Sequence, residues 1–249
     1  MPDDYSSRTE LLPGEVAIIG RGRMGEALAA ALDDAGIPVR GPLRRGATGE
    51  GAAIVLLCVP DREIATAAKL IVGDPVVGHV SASAPLDLLA PHERFGLHPL
   101  LSVVGRGADF EGATCAIDGS TERALAIARA LADRLGMKSR VIAAEQRALY
   151  HAAASAASNF LVTLEGMAER LAAQVGLERA ALVPLVRATI DNWAARGAAA
   201  ALTGPIARGD EETAAWQRAA VAASAPDLVP LWDALATGTR ELARAPRSA

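Results

Sequence analysis

The stretch Gly20-Arg21-Gly22-Arg23-Met24-Gly25 constrains this chain more than any other. It follows the apolar run Val16-Ala17-Ile18-Ile19 and opens an Ala/Leu-rich run from Met24 to Ala35. Strand, glycine turn and helix in that order is the setting in which a G-x-G-x-x-G spacing carries meaning. Gly20 permits the tight turn, Gly22 leaves the backbone bare to a pyrophosphate, and Gly25 lets the helix sit close on the strand. The N–H groups of the first helical turn then face the phosphates. Arg21, Arg23 and Met24 therefore join the three glycines as expected cofactor-binding residues.

A dinucleotide also needs a seat for its adenosine ribose. A short second strand is expected over residues 37–40, followed by the Gly-rich loop GPLRRGATGEG. An NAD-binding chain usually carries Asp or Glu near here. This one has no acid before Glu50 and has Arg40, Arg44 and Arg45 instead. Guanidinium forks suit a 2′-phosphate, so Arg44 and Arg45 are expected to take it and the cofactor to be NADP, with NAD as the alternative. A solvated arginine loop is the plain reading of the same residues. The apolar run 52–59 reads as a strand buried on both faces. It ends at Cys58-Val59-Pro60, expected to line the cofactor cleft through backbone contacts, before a helix over residues 62–70. A further strand over 75–81 ends at Ser81, placed near the nicotinamide. A short helix at 86–89, strands at 114–117 and 138–143, and a helix over 121–135 complete an alternating α/β pattern. That alternation predicts a doubly wound, mostly parallel sheet of the Rossmann type.

After Ala144 no strand pattern survives. Helices are expected over 145–175, 178–196, 210–223 and 227–243, with the segment Ala201-Leu-Thr-Gly-Pro-Ile-Ala-Arg-Gly-Asp210 between the second and third. The expected organisation is a flexible leader over 1–12, a dinucleotide-binding domain over 13–144 and an all-helical domain over 145–249. The helices hold more alanine than one amphipathic stripe requires, so several faces should be buried. A homodimer through this half is expected. Apolar residues make up 51% of the 249 and aromatics 3%, at a net charge of −4. That balance points away from a nucleic-acid surface, and no apolar run has the length of a membrane span. The two cysteines, Cys58 and Cys115, lie in strand-like runs and read as buried thiols, not as a disulfide or metal site. A cytoplasmic location follows as the expectation, with a small molecule as the partner.

Hydride transfer asks the protein for orientation and for a proton carrier. His79 sits within a strand and reads as packed; His92 follows Pro91 in a polar turn and reads as exposed. His98 lies in Phe95-Gly-Leu-His-Pro-Leu100, where an apolar segment should reach the carboxyl edge of the sheet, the edge at which open α/β folds bind ligands. His151, Ser155 and Asn159 recur every four residues on the first long helix and share one face. A polar line there is costly to bury without a partner, and a ligand cleft would supply one. His98 and His151 are the acid/base candidates, with Asn159 orienting the substrate and Ser155 contacting it. A packing network is the rival reading. Tyr150 is one residue off that face and reads as packing. In 201–210, Thr203 and Arg208 are candidate substrate contacts, Arg208 through a bidentate pair with a carboxylate. Asp210 reads as the N-cap of the next helix.

Three stretches carry a family resemblance: Gly96-Leu-His-Pro-Leu100, the run YHAAASAASNFLVTL at 150–164, and ALTGPIARGD at 201–210. They resemble Rossmann-like proteins assigned as oxidoreductases whose C-terminal helical part is a domain of unknown function. The resemblance runs from about Val16 to Leu242. In plan the family is similar to pyrroline-5-carboxylate reductase, the 3-hydroxyisobutyrate dehydrogenases and prephenate dehydrogenase. It implies an NAD(P)-binding domain, a helical dimerisation domain of the 6-phosphogluconate dehydrogenase C-terminal type, and an active site between them. His98-Pro-Leu is similar to a His-Pro-Met stretch of the prephenate dehydrogenases. The related dehydrogenases place a lysine and, four residues on, an asparagine on the equivalent helix. Residues 145–175 contain no lysine, which leaves His151 as the proton carrier there. The function expected is hydride transfer between NADP(H) and a small polar carbonyl, hydroxy acid or imine. The alternative is a non-catalytic dinucleotide-binding sensor or scaffold.

Overall fold

The computed structural model describes residues 12–245; nearly all of the expected leader lies outside them. Seven strands form one sheet in the order β2-β1-β3-β4-β5-β6-β7. They are β1 Val16–Ile19, β2 Val39–Leu43, β3 Ile54–Leu57, β4 Val76–His79, β5 Arg94–Pro99, β6 Thr114–Gly119 and β7 Lys138–Val141. All neighbours pair parallel except β5 with β6. The doubly wound, mostly parallel sheet is therefore present.

Two-residue periodicity splits the core between the two faces of that sheet. Val16, Ile18, Ile54 and Leu56 pack with Leu28 and Leu32 of α1 (Arg23–Asp34) and with Ile127 and Leu131 of α3 (Glu122–Arg134). Ala17, Ile19, Val55 and Leu57 pack on the other face with Ile64 and Ala68 of α2 (Ile64–Ala68). Burial of β1 and β3 on both faces explains their unbroken apolar runs. Thr121 caps α3 by accepting from the Ala124 N–H.

Several boundaries differ from the sequence reading. The second strand runs to Leu43, so Gly41 and Pro42 lie inside it and the loop begins at Arg44. The helix expected over 62–70 is a 3₁₀ turn, Asp61–Glu63, followed by the short α2. The segment holding His98, expected only as an apolar segment reaching the carboxyl edge of the sheet, is a strand, β5. His92 is half-buried, its Nε2 3.0 Å from the Ala68 carbonyl, and is not a free loop residue.

The chain divides into two compact units, one ending at Ser158 and the other beginning at Asn159. The first unit includes α4 (Arg147–Ser155), which is tied back to the sheet by its own polar side chains. The second unit is helical: α5 Leu161–Ala173, α6 Arg179–Arg196, α7 Ala198–Ala201, α8 Pro205–Arg208, α9 Glu211–Ser224 and α10 Val229–Arg244. Between α4 and α5, residues Ala156–Phe160 form a π-helical turn within the expected long helix. The segment 201–210 is not an open loop, since it contains the single turn of α8. The Asp210 carboxylate accepts from the Thr213 N–H at the head of α9, as expected of an N-cap. Within the single chain α6 has no buried residue. The second unit's own core is Met167, Val221, Ala225 and Leu228. Among the described residues no helix is long and apolar enough to cross a membrane.

Candidate active site

The glycine turn joins the carboxyl end of β1 to the head of α1, and its three glycines do different things. Gly20 has φ of +126°, and a Cβ there would lie 2.1 Å from the Cys58 carbonyl oxygen. A Cβ on Gly25 would lie 2.0 Å from the Gly20 carbonyl oxygen. Both are required by close backbone approach. Gly22 is the N-cap of α1, and a Cβ there would meet nothing within 4 Å. The space beside it is open, and the unpaired N–H groups of the first turn lie at its edge. Arg21, Gly22 and Arg23 are exposed and Met24 half-buried. The Gly20 N–H donates to the Leu43 carbonyl at 3.0 Å, which brings Arg44 and Arg45 to the flank of the turn. Arg45 pairs with Glu63 at 3.0 Å and is two-thirds exposed. Arg40 is engaged by Glu15 at 2.9 Å.

Two neighbouring strand ends continue this edge. Cys58 follows β3, is buried, and donates its N–H to the Ile19 carbonyl; burial pushes its thiol up to about 12. Val59 is half-buried and Pro60 exposed. Ser81, past β4, donates its hydroxyl to Asp61 at 2.8 Å and accepts from the Ser83 and Ala84 N–H groups. Ser83 also donates to Asp61, at 3.1 Å. Asp61 thus ties the loop after β3 to the loop after β4.

The third strand end carries a histidine–tyrosine pair. His98 sits near the end of β5, and its Nδ1 shares a 2.8 Å hydrogen bond with the hydroxyl of Tyr150 on α4. The rings meet edge to face, with centroids 5.5 Å apart and planes at 89°. Burial lowers His98 to about 4, and the charges of His151 and Arg147 push the same way, against Asp61. Burial raises the Tyr150 phenol to about 12, with Cys115 adding to the rise and Arg147 opposing it. Both groups are therefore uncharged across the neutral range. His79, at the end of β4, is wholly buried and also lowered to about 4, first by burial and then by Arg147. Its Nδ1 accepts from the Ser81 N–H at 3.2 Å, and its Nε2 has no partner among the described residues.

Because β1, β3, β4 and β5 are parallel, the glycine turn, Asp61, Ser81 and His98 all lie toward one carboxyl edge. Three strand spacings separate β1 from β5, roughly 14 Å. Residues 113–239 match the family described as a domain of unknown function, DUF2520. The chain belongs to the DUF2520 family. No curated protein matches it in sequence. Among solved structures it is similar to a candidate NADP oxidoreductase of Bacteroides fragilis, with a TM-score of 0.80 at 20% identity over 93% of this chain and 99% of that one. A Thermotoga maritima protein gives 0.74 at 25% identity, over 92% and 98%. A reductive aminase of Aspergillus terreus, solved with NADPH and ethyl-5-oxohexanoate, gives 0.64 at 16% identity, over 92% and 94%.

The part of this DUF2520 chain matched by the family includes Tyr150 and His151 but neither the glycine turn nor His98. Tyr150, expected to pack, meets the His98 ring edge to face and is also its hydrogen-bond partner, a role the sequence did not suggest. His151 is exposed and Ser155 half-buried, so the polar line expected on this helix is not buried within the first unit. Asn159 opens the second unit, is exposed, and lends its carbonyl to the Thr163 hydroxyl at 3.0 Å. Thr203 and Arg208 are exposed in the second unit, where they border a cavity of about 170 Å³ with Leu202 and Ala243. Arg147 and Asp118, joined by a 3.0 Å ion pair beneath α4, carried no signal in the sequence reading.

Proposed function

We propose that this chain is an NAD(P)-dependent oxidoreductase that prefers NADP(H) and acts on a small polar carbonyl, hydroxy acid or imine. One observation carries the reading. An open glycine N-cap at the end of β1 and an uncharged His–Tyr pair at the end of β5 share the carboxyl edge of one sheet. Ligands of open α/β sheets bind outside that edge, at the point where strand order reverses; here that point is β1/β3. In this reading Gly20, Arg21, Gly22, Arg23, Met24 and Gly25 seat the pyrophosphate. Arg44 and Arg45 hold the 2′-phosphate. Arg45, itself two-thirds exposed, is held by an ion pair to the half-buried Glu63, a partner that a phosphate would replace. Cys58, Val59 and Pro60 border the cofactor by backbone, and Ser81 stands near the nicotinamide.

The cofactor supplies or takes the hydride when bound; the chain handles the proton. His98 Nδ1–H donates to the Tyr150 oxygen, which fixes the ring and leaves Nε2 with its lone pair. As alcohol or amine becomes carbonyl or imine, Nε2 accepts the substrate proton. In the reductive direction the imidazolium returns it. His151 passes the proton to solvent. The substrate-side roles of Ser155, Asn159, Thr203 and Arg208 rest on the sequence. We also infer a homodimer through the helical unit, where Phe160, Val162, Val175 and Leu185 stand more than half exposed.

Fluorescence titration with NADPH and NADH, followed by a turnover panel of cyclic imines, keto acids and aldehydes, tests this reading. Tighter NADPH binding, weakened by replacing Arg44 and Arg45 with Ala, is expected. His98→Gln and His151→Gln should abolish turnover and leave cofactor affinity nearly intact. Absence of dinucleotide binding would overturn the assignment. Binding without turnover on any member of the panel would leave a dinucleotide-binding module in place of an enzyme.

A further inference from the structure

The face of the sheet under α4 has an unusual make-up. His79, Gly96 and Asp118 stand in register on adjacent strands β4, β5 and β6. Residues in register point to the same face, so these three form one row across the sheet. His98 and Ala116 form the next row toward the carboxyl edge. In the first row the middle position has no side chain, and the guanidinium of Arg147 occupies its place. A Cβ on Gly96 would lie 3.3 Å from Arg147 Nη2 and 3.8 Å from Nη1. Nη2 donates to Asp118 at 3.0 Å.

Arg147 is also what holds α4. It is the one buried residue of that helix, 8% exposed, whereas Leu149 is 76% exposed. Apolar packing therefore does little to fix the helix on the sheet. Two polar contacts remain: Arg147 with Asp118, and Tyr150 with His98. Positions 147 and 150 are three apart and lie on one helix face.

We propose that Arg147, seated in the Gly96 notch and anchored on Asp118, is a positioning residue that sets the place of Tyr150 and the charge felt by the His98–Tyr150 pair. Its part in turnover rests on the reading of that pair given above. The groups facing His98 are Tyr150, His151 and Arg147 from α4 and Asp61 from the loop after β3; Tyr150 also feels Cys115 of β6. The Arg147 cation opposes a second positive charge on His98 or His79 and favours the phenolate of Tyr150. Asp118 fixes where that cation stands.

The test uses the full chain and its Arg147→Gln, Arg147→Lys, Asp118→Asn and Gly96→Ala variants. NMR titration of the His98 ring reads the charge. Arg147→Gln should move the His98 midpoint up from about 4 toward the ordinary 6.5, with Arg147→Lys nearer the parent. Tyr150 should titrate higher in Arg147→Gln, because the cation that favours its phenolate is gone. Under the proposed function, kcat should fall at least tenfold and its acid limb should move up in pH, while dinucleotide affinity holds. Gly96→Ala keeps every charge and crowds the guanidinium, so it should give a smaller shift in the same direction and serves if Arg147→Gln fails to fold. Unmoved His98 and Tyr150 titrations in the folded variants would overturn the positioning role. The two readings fail separately. Shifted titrations in a chain that turns nothing over would remove the enzyme and keep the clamp. Turnover lost in His98→Gln but untouched in Arg147→Gln, with titrations unmoved, would keep the enzyme and remove the clamp.

Discussion

Each of the two units of this chain has its own means of internal cohesion. The sheet unit encloses two apolar clusters, one on each face, in which most strand residues are wholly buried. The helical unit gathers four buried residues into its core, and α6 contributes none over 18 residues. Its helices are joined instead by exposed forks: Arg170 to Asp227, Arg179 to Glu169, Arg218 to Asp233 and Arg240 to Glu211. Apolar burial is the main driving force for folding, whereas exposed ion pairs contribute little each. The sheet unit is therefore self-sufficient in core. The helical unit leaves large apolar side chains, Trp216 at 74% and Val175 at 73% among them, in water. The proposed second copy is the element that would cover them.

The strongest way to break this comparison is to attack the sheet unit at its tightest approach. Gly20→Ala or Gly25→Ala puts a methyl group about 2 Å from a backbone carbonyl oxygen. Neither contact can relax by rotating a side chain. Each should cost on the order of 3–5 kcal/mol, read as a lowered denaturant midpoint. Gly22→Ala, where space is open, should leave stability nearly unchanged and weaken dinucleotide binding. A Gly20→Ala chain as stable as the parent would refute the close-packed account of the turn.

Acid titration separates the units next. His79 is wholly buried and lowered to about 4 from 6.5. The unfolded chain then binds more protons than the folded one between those values, so stability rises with pH across that window. Acidifying from 7 to 4 should cost about 3 kcal/mol through His79; His98 acts in the same sense. The helical unit behaves differently. Hydrogen bonds from arginines hold Glu169, Asp227 and Asp233 below their ordinary values. Stability from lowered carboxylates is present above the unfolded pKa and is lost as pH falls through the folded one. That loss belongs below about pH 4, after the histidine window has closed. Denaturation followed at several pH values, with Trp193, Trp216 and Trp232 reporting on the helical unit, checks the order. Simultaneous loss of both units between pH 6 and 5 would contradict it.

How much of this was legible in the sequence follows from the same contrast. Strands β1 and β3 and the helix α1 stand out because their burial is written as local apolar pattern. The strand β5 does not, because Gly96, His98 and Pro99 interrupt its pattern, and Gly96 and His98 meet residues of α4 about 50 positions later. The hydrogen bond of Tyr150 is hidden for the same reason. A helical wheel places it beside His151, but its partner is on a strand 52 residues earlier in the chain. Arg147 looks like any arginine at a helix start until Gly96 and Asp118 are brought beneath it by sheet register. The three arginines near β2 look alike in the sequence, yet Arg40 is held by Glu15 at the other side of the strand pair. In the helical half, apolar content predicts burial, but among the described residues α6 has no buried side chain.

A charge placed on the exposed apolar face of the helical unit sharpens that last point. Leu185→Arg should change the stability of the isolated chain by no more than about 0.5 kcal/mol, since the side chain is already 66% exposed. If a second copy covers α6, the parent's thermal midpoint should rise with protein concentration, and the same change should lower the mass seen by sedimentation and remove that dependence. A monomeric parent at every concentration would sink the dimer proposal.

The smallest effect is expected at the exposed forks. Arg218 reaches Asp233 through Nε at 2.7 Å and through Nη2 at 2.8 Å, joining α9 to α10 with two parallel hydrogen bonds. The geometry is good, but both side chains are about half exposed, and water solvates either ion nearly as well. Replacing Asp233 with Asn keeps the shape and removes the charge. A slight fall in thermal midpoint is expected at low ionic strength. It should fade as salt screens the parent pair, because exposed charges interact only within a Debye length of roughly 10 Å at 0.1 M salt. An equally small change at high salt would mean that packing of the side chain, not its charge, joins these helices. A large loss at any salt would show that the fork is part of a desolvated interface. In that case α9 and α10 would have to be covered in solution by something the single chain does not contain.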